Sequence, residues 1–165
     1  MSPDRPFSVL FICRRNASRS LMAEGLLRKW GAGRFDTFSA GPEPRDEADP
    51  ITLDLLRKVG IDTETLRPKR WDLFTGPDAP DLDFVFHVCE QSTSLPQPAF
   101  TGNPMRVTWR FPDPLALEGS ETERRALLNL VFGMVERRVK LLCALPDHRL
   151  ARLTASDVSD IALAG

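Results

Sequence analysis

The chain has no tyrosine, only three cysteines and two histidines in 165 residues, and no apolar run long enough to cross a bilayer. Cys13, Cys89 and Cys143 are too few and too far apart for a disulfide framework or a closed zinc site, so no metal is expected and free thiols remain for chemistry. Charge of one sign is also lacking: 22 basic and 23 acidic residues leave a formal charge of -1. No global field then draws the protein to nucleic acid or to an anionic membrane, and any cationic site has to be local. The opening MSPDRPF mixes charges with prolines and lacks the apolar core of an export signal, which makes the cytoplasm the expected location.

What is present has the balance of one globular domain, with 42% hydrophobic and 27% charged residues. Phe7–Cys13 is an apolar run without alternation, as expected of a strand covered on both faces of a parallel sheet. A helix is predicted from Ser20 to Trp30, with Leu21, Met22, Leu26, Leu27 and Trp30 at intervals of three and four. Further strands are predicted at Phe35–Ala40, Asp83–Cys89 and Met105–Trp109, and a second helix at Pro50–Val59. Leu66–Pro80 reads as an irregular stretch with a turn at Trp71–Phe74. A long helix, Glu121–Cys143, is predicted to turn Leu127, Leu130, Val131, Met134, Val135, Val139 and Leu142 to the core. Residues 1–146 then form the domain, and 147–165 an appended tail. Alternating strands and helices imply an α/β fold with a parallel sheet, in which ligands bind beyond the carboxyl ends of the strands. Cys13 ends the first strand and Cys89 the third.

The segment Cys13-Arg14-Arg15-Asn16-Ala17-Ser18-Arg19 joins a strand to a helix N-terminus, where unpaired N–H groups and the positive end of the helix dipole favour an anion. It lacks the glycines and the Gly-Lys-Ser/Thr ending of the nucleotide P-loop. A phosphate-sized cradle with a thiol at its rim is the chemistry this order of residues supports. A free thiol is mostly protonated near neutral pH, so activation has to come from the loop. Ser20 can donate to the sulfur, and Arg19 can offer parallel N–H bonds to a tetrahedral oxyanion. Asn16 suits a loop position of unusual backbone conformation. The competing reading makes Cys13 a buried core thiol with an arginine six residues later by coincidence.

These residues resemble the low-molecular-weight protein tyrosine phosphatase superfamily, and more closely its arsenate reductase branch. The resemblance runs from VLFICRRNASRSLMAEGL through SAGPEP, VGID, DFVFHVCE and VTWRFPDP to the last helix. It implies a three-layer α/β sandwich with a four-stranded parallel sheet in the order 2-1-3-4. It also implies Cys13 as nucleophile, Arg19 and the loop from Arg14, Arg15, Asn16, Ala17 and Ser18 to Ser20 as the oxyanion cradle, and Asp113 of WRFPDP as proton donor. Protonated Asp113 acting beside an ionised thiol makes a mildly acidic optimum the expectation for phosphatase activity. Taken by itself, the Asp-Pro pair reads first as a turn initiator.

Cys89, in HVCE, resembles the second cysteine of arsenate reductases, which attacks the arsenylated first one. DPLALEG lacks the tyrosines that follow the Asp-Pro pair in many tyrosine phosphatases. Thioredoxin-coupled reductases have a further cysteine shortly before a proline, whereas VCEQSTSLP has Leu95 before Pro96. Thiol-dependent reduction of arsenate is therefore the leading expectation. No cofactor is bound, and the reductant is external: glutaredoxin with glutathione, thioredoxin or another low-molecular-weight thiol. A monomer is expected. The alternatives are a phosphatase acting on phosphotyrosine or small phosphate monoesters, and a non-catalytic oxyanion-binding protein. His87 reads as a hydrogen-bonded structural histidine or as a tuner of Cys89, and Cys143 as a core residue.

Overall fold

Strand β1, Phe7–Ile12, is buried along its whole length, as its unbroken apolar character requires. It pairs in parallel with β2, Phe35–Ala40, on one side and with β3, Phe84–His87, on the other, and β4, Met105–Thr108, extends the sheet beyond β3. The strand order is β2-β1-β3-β4 in this computed structural model, which describes residues 5–153. Helices α1 (Arg19–Trp30), α2 (Pro50–Lys58), α3 (Glu121–Cys143) and α4 (Asp147–Leu150) complete the elements, together with a single 3-10 turn at Trp71–Phe74.

Side chains alternate across β1. Val9 and Phe11 join the core that α1 and α3 cover, with Leu21, Met22, Leu26, Val131 and Val135. Leu10 and Ile12 face a smaller core in which Trp71, Phe74, Leu82 and Phe100 take part. The third layer is thus the irregular segment with its 3-10 turn. Phe86 packs tilted against Trp109 with centroids 4.4 Å apart and stacks on Phe11 at 5.5 Å. Burying each such ring contributes about 1.5–3 kcal/mol, which anchors the middle of the sheet.

Register sets the position of the site. Ile12 is opposite Ala40 on β2 and His87 on β3, so the three strands end in one row. Cys13, Gly41 and the residues after His87 leave the sheet at the same rim. At the opposite edge, Arg34 precedes β2 and its Nη1 donates to the Cys143 carbonyl at 2.7 Å.

Several expectations are corrected. Leu130 is 61% exposed, while Leu128 and Phe132 are buried with Val131, Val135, Val139 and Leu142. Two positions from Leu128 on a helix is about 200° of rotation, which puts Leu130 on the outer face. Trp30 is 43% exposed, its Nε1 donating to Glu136 and its ring under Lys140. Cys143 is half-buried at the margin of the core. Within the expected tail, α4 brings Leu150 into the core and Leu153 follows it there; residues 154–165 lie outside the described residues. No helix among the described residues is long and apolar enough to cross a membrane.

Candidate active site

Three backbone bonds from the segment after β2 hold the loop between β1 and α1. Glu43 N–H donates to the Arg14 carbonyl, Arg45 N–H to that of Arg15 and Asp49 N–H to that of Ala17, each at 3.0 Å. In a trans peptide the N–H points opposite to the C=O. With those carbonyls held outward, the N–H groups of Arg15, Asn16 and Ser18 face the other way, into the loop, and none has a protein acceptor among the described residues. Gly41 allows this approach: a Cβ there would lie 2.4 Å from the Cys13 carbonyl oxygen.

Ser18 is the N-cap of α1 but makes no capping bond. Its hydroxyl meets Thr52 Oγ1 at 2.7 Å, and Thr52 in turn donates to Asp49 at 2.8 Å. The helix therefore keeps its first N–H groups uncapped, and no acidic residue occupies its first turn. Both features leave the positive end of α1 open to an anion.

Cys13 Sγ lies 2.8 Å from Ser20 Oγ. Asn16 donates its Nδ2 to the same Oγ at 2.7 Å, so the Ser20 hydrogen is left to point at the sulfur. Asn16 itself has φ 47°, in the left-handed region that asparagine tolerates, and its Oδ1 accepts the Lys69 N–H at 3.0 Å. Asn16 is fully buried and shapes the loop from behind. Lys69, which no sequence motif marks, also donates Nζ to the Ser39 carbonyl at 2.9 Å, and burial pushes its ammonium below the usual lysine range. A backbone N–H contact of this kind has no residue-type signature.

Arg19 comes from the first turn of α1, with its guanidinium almost wholly buried. Its Nη1 donates to the Phe111 carbonyl at 3.0 Å, and its Nη2 is 3.8 Å from Asp113 Oδ2. Asp113 is both a turn former and a wall of the site: its Oδ1 accepts the Leu115 N–H at 3.0 Å. Cys13, Arg14, Arg15, Ala17, Ser18, Arg19 and Asp113 line one cavity of about 380 Å³, to which Arg45, Gln91 and Leu115 also contribute. Arg14 turns its Nε to Glu43 at 3.0 Å, and Arg15 is exposed. Arg45 and Gln91 went unnoticed in the sequence because they lie in loops without a pattern. The cavity presents a thiol, inward N–H groups and an arginine fork to a tetrahedral oxyanion.

Cys89 does not line this cavity. It lines an adjoining trough of about 580 Å³ that shares Arg19, Gln91 and Asp113 with it. Cys89 is buried, and its thiol donates to Ser92 Oγ at 3.7 Å. His87, beside it, meets the same Oγ through Nδ1 at 2.8 Å. Burial, then the Arg106 guanidinium, push His87 down to about 4, partly offset by a hydrogen bond to Gln97. The unfolded chain takes up this proton first, near pH 6.5, so the stability contribution is complete above that pH. It is lost as pH falls towards about 4, by about 3 kcal/mol in total. Urea unfolding across this window should show a steeper acid loss for the wild type than for His87→Gln. Equal slopes would refute the assignment.

The family model for low molecular weight phosphotyrosine protein phosphatase matches residues 8–154. The chain belongs to this family. Its relatives within the phosphatase family include proteins named as arsenate reductases. A glutaredoxin arsenate reductase of Synechocystis is 32% identical over 82% of this chain and 95% of its own length. An arsenate reductase of Halalkalibacterium halodurans is 30% identical over 80% and 91%. The crystal structure of an arsenate reductase from Archaeoglobus fulgidus superposes with a TM-score of 0.64 at 31% identity, over 83% of this chain and 99% of that one. The four-stranded parallel sheet in the order 2-1-3-4 is the phosphatase-family fold.

Proposed function

We propose that this member of the phosphatase family is a thiol-dependent arsenate reductase. The observation that carries the reading is the position of Cys89: it follows the end of β3, the strand paired with β1, and lines a trough sharing Arg19, Gln91 and Asp113 with the oxyanion cavity. Phosphate-ester hydrolysis needs no second thiol there.

In the first step Cys13 attacks arsenate held by the loop N–H groups and the Arg19 fork. The Ser20 hydroxyl stabilises negative charge on the sulfur, and Asp113 protonates the departing oxygen, which leaves as water. In the second step Cys89 attacks the Cys13 sulfur. The S–As bond breaks with its electron pair on arsenic, arsenite leaves, and a Cys13–Cys89 disulfide remains. Arsenic passes from the +5 to the +3 state, and two thiols supply the electrons.

The disulfide then needs an external thiol. The chain has three cysteines, and Cys143 lies at the amino edge of the sheet, about 20 Å away along a six-residue strand. It cannot take over the disulfide at the other edge. Glutaredoxin with glutathione suits a chain with no third thiol within reach of the Cys13–Cys89 pair. Arsenite production by the full-length protein is expected with glutathione and glutaredoxin. Failure to reduce arsenate with these, with thioredoxin and with small thiols, alongside hydrolysis of p-nitrophenyl phosphate, would replace this reading with a phosphatase.

A further inference from the structure

We propose that Ser92 and His87 form a proton relay for Cys89, the thiol proton passing to the Ser92 hydroxyl as the Ser92 hydrogen passes to His87 Nδ1. This rests on the reading of Cys89 as second nucleophile. His87 is the last residue of β3, and Cys89 lies two residues further on, where the chain bends away from the strand. The turn after Cys89, closed by Thr93 N–H on the Glu90 carbonyl at 3.0 Å, folds Ser92 back between them.

Ser92 is fully buried. Its Oγ accepts the Cys89 S–H at 3.7 Å, and its own hydrogen has two acceptors in reach, His87 Nδ1 at 2.8 Å and the Cys89 carbonyl at 3.2 Å. A hydroxyl that accepts from the nucleophile while donating to an imidazole is the linking unit of a relay. Gln97 braces the turn, donating Nε2 to the Ser92 carbonyl at 2.8 Å. The charged groups around the cluster are Arg106 beside His87, and Arg19, Glu90, Arg110 and Asp113 around the Cys89 trough. Burial and Arg106 keep His87 neutral near pH 7, with a lone pair to receive the proton.

The step balances. The S–S bond forms as the S–As bond breaks, its electron pair stays on arsenic, and the Cys89 proton ends on His87. A thiol sulfur becomes strongly acidic as it enters a disulfide, so a neutral imidazole suffices as acceptor and no free thiolate has to accumulate.

The test is a single turnover with arsenate and no external reductant, in which disulfide formation is followed by acid quench and mass loss. Wild type, Ser92→Ala, His87→Gln and Ser92→Thr are compared from about pH 6 to about 8.5. Rates are read as variant over wild type at each pH, which cancels the ionisation of arsenate and Asp113. For Ser92→Ala and His87→Gln the ratio should be lowest, about tenfold down or more, at the acid end and approach one near the ordinary thiol pKa of about 8.5. Ser92→Thr, which keeps the hydroxyl, should restore the wild-type profile. A ratio constant with pH would make the cluster structural and overturn the relay. Should the variants not fold, the imidazole nitrogen shifts of the wild type decide: a bare Nδ1 is required, and a protonated one refutes the proposal. Absence of any disulfide in the wild type would instead refute the two-cysteine reading, and the relay with it.

Discussion

Cys13→Ser should lose both arsenate reduction and p-nitrophenyl phosphate hydrolysis, each by at least about 10⁴-fold, because both begin with attack by the same sulfur. A serine hydroxyl at the same point has no adjacent general base: Ser20 accepts from Asn16 and has only its own hydrogen to give. Oxyanion binding should survive, since the N–H groups of Arg15, Asn16 and Ser18 and the fork of Arg19 are untouched. Calorimetric titration with phosphate checks this, and retained binding with lost turnover separates a missing nucleophile from a collapsed loop. Substantial hydrolysis by the variant would remove Cys13 from the mechanism.

Cys89→Ser should lose arsenate reduction by at least about 10³-fold at millimolar glutathione. The reason is proximity: an oriented neighbouring thiol acts at an effective concentration of about 10⁵ M or more, whereas an external thiol has to meet the arsenylated Cys13 in solution. Hydrolysis of p-nitrophenyl phosphate should persist, because water completes that reaction. Arsenite release measured with and without glutaredoxin checks the prediction. Reduction at the wild-type rate would show that Cys89 is a buried thiol only, consistent with its low exposure and its bond to Ser92.

The two predictions rest on different kinds of legibility. The opening motif could be read because a strand, a loop of six residues and a helix are contiguous, and local order alone brings Cys13, Arg19 and Ser20 together. Asp113 was legible only through the family resemblance, since an Asp-Pro pair by itself reads as a turn; in the structure it accepts a turn N–H and lines the cavity beside Arg19. The long helix was located correctly, but its inner face was misjudged at Leu130, because a leucine-rich helix leaves the direction of the apolar stripe to the partner it packs on.

The sequence by itself determined the strand–loop–helix unit, the thiol at its tip and the lack of a further cysteine between Cys89 and Pro96 to continue a thiol relay. Hydrophobic periodicity and residue order are local properties, and these features are local too. Only the tertiary structure decided that β3 lies against β1 and places Cys89 beside the cavity. It also decided that Gly41, Lys69 and Thr52 brace the loop from distant segments, and that Cys143 lies at the far edge of the sheet. Strand order and backbone hydrogen bonds between remote segments arise when the whole core closes. They depend on register across the sheet, and no local stretch of residues carries that information.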